Sequence, residues 1–204
     1  EPAERVVRRA LELDPEYTGA WHSMAWLRLA QGRIDEALTA VDSAEALGSD
    51  FAPFHRGFVH WWAGDVEEAG AAYSVIDLST TRPRMDQSIP MAHALFAVGD
   101  STEARRIVEQ HRDVIEAWVL ADYAPEQRVF PQLQLAAIDG DIEEAVALFQ
   151  TYVERGGRDY RWFERSPLFA ELREVPAFQR ELEELRTMVE AMRRQMEREL
   201  PTEP

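Results

Sequence analysis

An all-α solenoid built from paired helices is the fold this sequence predicts, and three observations predict it. The stretch Gly32-Arg33-Ile34-Asp35-Glu36-Ala37 returns at Gly64–Ala69, Gly99–Ala104 and Gly140–Ala145, each copy ending in Glu-Ala, at spacings of 32, 35 and 41 residues. Recurrence at that period marks an array of repeated helical units. Each copy also opens a segment of helical period, as in Ala37, Val41 and Ala44. Finally, Pro53, Pro90 and Pro131 stand at corresponding places ahead of the glycines. A first helical position accepts proline at no cost, because its N–H has no helical partner, so helices are predicted to begin there.

The elements follow in order. Ala3, Val7 and Ala10 share one face of a helix over 2–14, stopped by Pro15. Ala3 to Ala37 is 34 residues, so this first helix corresponds to the second helix of a pair that lacks its partner. Its unpaired apolar face reads as a cut through a longer protein. Full pairs are expected at about 18–48, 50–78, 85–112 and 126–155, with the polar, proline-interrupted stretch 79–84 as a loop. Asp113–Asp122 is expected to form a short extra helix ending at Tyr123-Ala124-Pro125. The array is expected to span 1–157 and to stop at Gly156-Gly157. Residues 158–204 then form a C-terminal segment, in which Ser166 before Pro167 reads as a helix cap. In the last helix, about Ala177 to Leu200, Leu182, Leu185, Val189, Met192 and Met196 alternate steps of three and four. That seam caps the last repeat, protrudes to pair with a second copy, or occupies the groove of the array.

Composition narrows the function. The formal charge is −16, and all 22 basic residues are arginine. Such a balance argues against a nucleic-acid backbone footprint, which needs clustered basic charge, and against contact with an anionic membrane. With no cysteine, disulfides and thiolate metal sites are excluded. No apolar run approaches the length of a membrane span. A cytoplasmic setting is expected, or a periplasmic one if a transmembrane segment precedes the chain.

Residues 18–47 carry a specific resemblance. Trp21, Met24, Ala25, Gly32, Ala37, Val41 and Ala44 make this stretch resemble a tetratricopeptide repeat, with Arg28 and Ser49 departing from the family pattern. The phrase from Ser166 to Leu182, with Pro176, Phe178 and Leu182, resembles the close of such regions in bacterial multidomain signalling proteins. There they follow class III adenylate or guanylate cyclase domains, kinase domains, or winged-helix regulators with a TolB-like segment. The resemblance implies a non-catalytic scaffold that binds a protein or peptide on its concave face, which the first helix of each pair lines. The groove positions it implies are His22, Trp26 and Leu29; Phe51, Phe54, Phe58, Trp61 and Trp62; Ile89, His93 and Phe96; and Phe130, Gln134 and Ile138. Of these, Trp26, Phe54, Phe58, Trp61, Trp62, His93, Phe96 and Phe130 are the expected partner-binding residues, with Trp26, Phe58, Trp62 and Phe96 the best candidates. The residues themselves leave a second reading open, because a one-residue slip in the second pair would bury Phe54, Phe58 and Trp61, and Arg56 at a nominal core position favours that slip.

Catalysis has no candidate constellation. The acidic pairs Asp35/Glu36, Glu67/Glu68 and Glu143/Glu144 fall in first helical turns, where negative charge complements the helix dipole. His22, His55, His60, His93 and His111 lack any recognised metal-ligand spacing. No cofactor, metal or catalytic residue is expected. The alternative to groove binding is a dimerisation scaffold acting through the C-terminal helix.

Overall fold

The computed structural model describes residues 2–78, 83, 85–122 and 125–199. The loop expected over 79–84, the helix end at Tyr123-Ala124 and the far end of the last helix at Leu200 lie outside the described residues, apart from Pro83. Among the described residues there are eleven α-helices, two 3-10 turns and no strand. They divide into two compact units, Glu1–Val108 and Glu109–Pro204.

The first unit contains α1 (Pro2–Leu13), α2 (Thr18–Ala30), α3 (Ile34–Ala46), α4 (Ala52–Ala63), α5 (Val66–Ser74), α6 (Met85–Ala97) and the start of α7 (Ser101–Leu120). The recurrent glycines make its hairpins and the one that follows. Gly32, Gly64, Gly99 and Gly140 have φ between 75° and 94°, a left-handed conformation that glycine adopts without a Cβ penalty. In all four the next residue's N–H reaches back five positions: Arg33 to Arg28, Asp65 to His60, Asp100 to Leu95 and Asp141 to Ala136, at 2.8–2.9 Å. This is the Schellman arrangement, which satisfies carbonyls left open at a helix end. The acids after the glycine then sit in the first turn of the following helix. The Asp141 carboxylate accepts the Glu144 N–H at 3.0 Å.

Small residues let paired helices approach. Ala25, Ala37, Val41 and Ala44 are all buried between α2 and α3. Where α4 meets α5 the fit is tighter still: a Cβ at Gly57 would lie 2.4 Å from the Tyr73 ring. Tyr73 is fully buried and its hydroxyl has no partner among the described residues. α1 buries no residue completely. It is tied down by Glu4, which accepts from Arg28 at 2.9 Å. Arg28, 5% exposed, also faces Glu36 at 3.2 Å. The departure from the repeat pattern at position 28 is thus an ion-pair hub joining three helices, and these bonds hold the Glu4 carboxyl well below the usual carboxylate range.

The second unit contains the remainder of α7, α8 (Pro125–Asp139), α9 (Ile142–Glu154), α10 (Tyr160–Arg165), 3-10 turns at Pro167–Phe169 and Leu172–Glu174, and α11 (Pro176–Glu199). Its core is aromatic. Phe149 lies 4.5 Å from Phe178 and 4.7 Å from Phe163, which in turn lies 5.0 Å from Phe169. Arg173 binds the chain reversal by donating to the Phe163 and Ser166 carbonyls at 3.1 and 2.8 Å.

Four expectations need correction. Pro90 and Pro131 lie inside α6 and α8, which begin five and six residues earlier. Proline there forgoes one helical hydrogen bond at about 3 kcal/mol, but the early turns are anchored. Gln87, Ser88 and Ile89 are buried in α6, and Val129 in α8, where Arg128 also donates to the Trp118 carbonyl at 2.9 Å. No separate helix forms over 113–122, because nothing between Ser101 and Leu120 breaks helix and α7 runs through. The expected boundary at Gly157 gives way to one at Val108, since Phe149 of the last pair is buried against the C-terminal segment. Ser166 precedes a 3-10 turn rather than an α-helix, and its hydroxyl caps nothing.

Candidate functional site

The first helices of successive pairs in the first unit, α2, α4 and α6, bring histidines and aromatics into one ladder. His22 on α2 bonds Ser49 Oγ through Nε2 at 2.8 Å and stacks on His55 of α4 at 4.0 Å. One turn along, Trp26 meets the His55 ring edge at 6.1 Å and Phe58 at 4.7 Å. Phe58 stacks with Trp62 at 6.2 Å. Trp61 donates its indole N–H to His93 Nδ1 of α6 at 3.3 Å. Helical spacing builds this face: 22 and 26 on α2, and 55, 58 and 62 on α4, are three or four residues apart.

The ladder has a closed floor and an open rim. Phe54, Phe58 and Trp61 are 5%, 2% and 0% exposed. They are core, which corrects their assignment as groove residues. The slipped register is the one adopted, and Arg56 is drawn outward by Asp42 at 2.8 Å and Glu45 at 2.5 Å. Trp26 remains 38% exposed, and Trp62, His55, His93 and Phe96 are half-buried. Phe51 is exposed, 6.5 Å from Phe54, whereas Ile89 is core. The uncovered part of Trp26 is on the order of 90 Å², worth about 2 kcal/mol if a partner covered it.

Burial lowers the basicity of His22 and His93. For His93 the geometry agrees, because an Nδ1 that accepts from Trp61 cannot also carry a proton. The site is aromatic, with burial disfavouring charge on His22 and His93, and among the described residues it brings together no convergent acid, base and nucleophile. Among the described residues no cluster of three His, Asp or Glu side chains is arranged to hold a metal ion.

Phe130 is the other correction. It lies in the second unit, within 6 Å of the Tyr152, Trp162 and Phe163 rings, so it closes that aromatic core instead of extending the ladder. Gln134 is buried there too. Along α11, Leu182 and Leu185 are buried with Phe178, whereas Met188, Met192 and Met196 are 41%, 50% and 61% exposed and Val189 is half-buried. The first half of the helix caps α9, and the second half carries the same apolar seam beyond the core.

Two stretches match the tetratricopeptide repeat. The family model covers residues 18–43, which hold α2 and most of α3, and residues 89–110, from α6 into α7. There the chain is similar to tetratricopeptide repeats, and the paired helices with glycine turns are the fold of that family. Such repeats generally mediate protein–protein interaction and are not themselves catalytic. Neither a curated protein nor a solved structure matches the chain significantly. Among the described residues no helix is long and apolar enough to cross a membrane.

Proposed function

We propose that this chain is a non-catalytic interaction and sensor module of a bacterial signalling or regulatory protein, receiving a peptide, a protein segment or a neighbouring domain on the α2–α4–α6 face. The observation that carries this reading is the pair of partly uncovered tryptophans, Trp26 and Trp62, flanking the buried Phe58 ring. Tryptophan at a desolvatable site beside a rigid floor is what binding hot spots are made of. The formal charge of −16 favours a neutral or basic partner. Selecting peptides from a displayed random library against the chain tests it. Selected peptides should lose at least tenfold in affinity for Trp26→Ala/Trp62→Ala, whose melting stays close to that of the parent. Peptides that bind both proteins equally refute the face as the site.

A second reading, pairing of copies through α11 to bring effector domains together, is favoured by the exposed Met188, Met192 and Met196. The mass of the intact chain in solution decides it: a dimer that Met192→Glu/Met196→Glu renders monomeric supports pairing, and a monomeric parent rules it out.

A further inference from the structure

The second unit holds a groove that the repeat pattern gives no reason to expect. One wall is a single face of α7, with Arg112, Ile115, Glu116, Val119 and Leu120 at helical spacing; the other is a single face of α8, with Gln132, Leu135, Ala136 and Asp139. The first turn of α9 closes one end with Asp141 and Glu144. The open volume is about 500 Å³. Its floor is apolar and unfinished: Ile115 and Leu135 are buried, while Val119 is 49% and Leu120 is 89% exposed.

The charge around this floor is predominantly negative. Glu116, Asp139, Asp141 and Glu144 stand against one guanidinium, Arg112, which is already spent on Asp139 at 2.9 Å and Glu109 at 3.8 Å. Two helix faces with apolar side chains between them and carboxylates along the rim complement a third helix whose apolar stripe is flanked by cations. From Arg112 to Leu120 the wall runs about 12 Å, at 1.5 Å per residue, which two to three turns of a partner helix would cover.

We infer that the α7–α8 groove is a docking site for a basic amphipathic helix, its apolar face on Ile115, Val119, Leu120 and Leu135 and its lysines or arginines against Glu116, Asp141 and Glu144. This site is independent of the α2–α4–α6 face. Attraction of opposite charge would steer the encounter and set specificity, while the apolar floor would supply the contact area.

The test uses the full chain and a fluorescein-labelled amphipathic helical peptide with leucine on one face and lysine on its flanks, followed by anisotropy. A twin peptide with glutamate for lysine is the control. The lysine peptide should bind saturably, more weakly in high salt, and the twin should not bind. Glu116→Arg/Glu144→Arg and, separately, Leu120→Asp should each weaken binding at least tenfold with unchanged helical circular dichroism, since all three side chains are exposed. Trp26→Ala/Trp62→Ala should leave it unchanged. Absence of saturable binding, equal binding of the twin, or equal binding by the groove variants overturns the proposal. So does loss of binding in the tryptophan variant, which would move the peptide to the other face. If sedimentation shows a dimer that Leu120→Asp dissociates, the occupant is a second copy and the basic helix is refuted.

Discussion

Replacing His111 should remove a specific part of the protein's acid sensitivity. The imidazole is 2% exposed in α7 and bonds the Pro131 carbonyl of α8. Burial is the dominant influence and disfavours the cation, bringing the group from 6.5 down to about 4. The direction of the linkage follows. Between pH 6.5 and 4 the unfolded chain protonates this histidine while the folded chain does not, so stability is complete above 6.5, falls as pH drops, and levels off below about 4. At about 1.4 kcal/mol for each pH unit of that interval, the loss is about 3 kcal/mol, a large share of a typical domain's stability. Two measurements check it. The His111 ring resonances in NMR should stay those of the neutral form down to about pH 4. Urea unfolding from pH 7.5 to 4 should show a steeper loss for the parent than for His111→Gln. A midpoint close to 6.5, or parallel stability profiles, would refute the argument that His111 is held neutral by desolvation.

Other perturbations follow from the packing. Trp61→Ala should destabilise the first unit by about 3–5 kcal/mol in urea unfolding, whereas Trp62→Ala, one residue along on the rim, should cost about 1 kcal/mol or less. Tyr73→Phe should be neutral or stabilising by about 1 kcal/mol, because it removes a buried hydroxyl that has no partner among the described residues; a clear loss of stability would mean the hydroxyl is engaged. Gly57→Ala should cost about 1–3 kcal/mol by driving a methyl into the Tyr73 ring, and Tyr73→Leu in the same chain should recover part of it, a coupling read from the double-mutant cycle. Arg28→Met should speed amide hydrogen exchange in α1 far more than elsewhere, since that helix buries no side chain completely and depends on the Glu4 bonds.

How much of this could be read in the sequence depended on whether the cause was local. The glycine turns were legible because left-handed φ and the carbonyls of one helix end are satisfied within six residues. The starts of α6 and α8 were not, because a proline's penalty is local while the burial of Gln87, Ser88, Ile89 and Val129 that outweighs it is tertiary. The same holds for α7. A repeat template expects a break near position 112, but no glycine or proline enforces one, and Ile115 beyond it finds a buried position.

The candidate site shows the limit most clearly at α4. Phe54, Phe58 and Trp61 stand four and three residues apart, and Phe51, Phe58 and Trp62 seven and four, so each set shares one helical face. Apolar period alone therefore admits two registers that share Phe58 and differ in which tryptophan faces the core. Arg56 favours the register that buries Phe54 and Trp61, because its guanidinium reaches Asp42 and Glu45 on α3 while it stays partly solvated. At Arg28 the converse applies. There the charge is buried, and its partner Glu4 lies 24 residues away, a distance at which no periodicity connects them. The α7–α8 groove belongs to the same class: each wall is a plain helical stripe, and only packing shows that part of both was left uncovered.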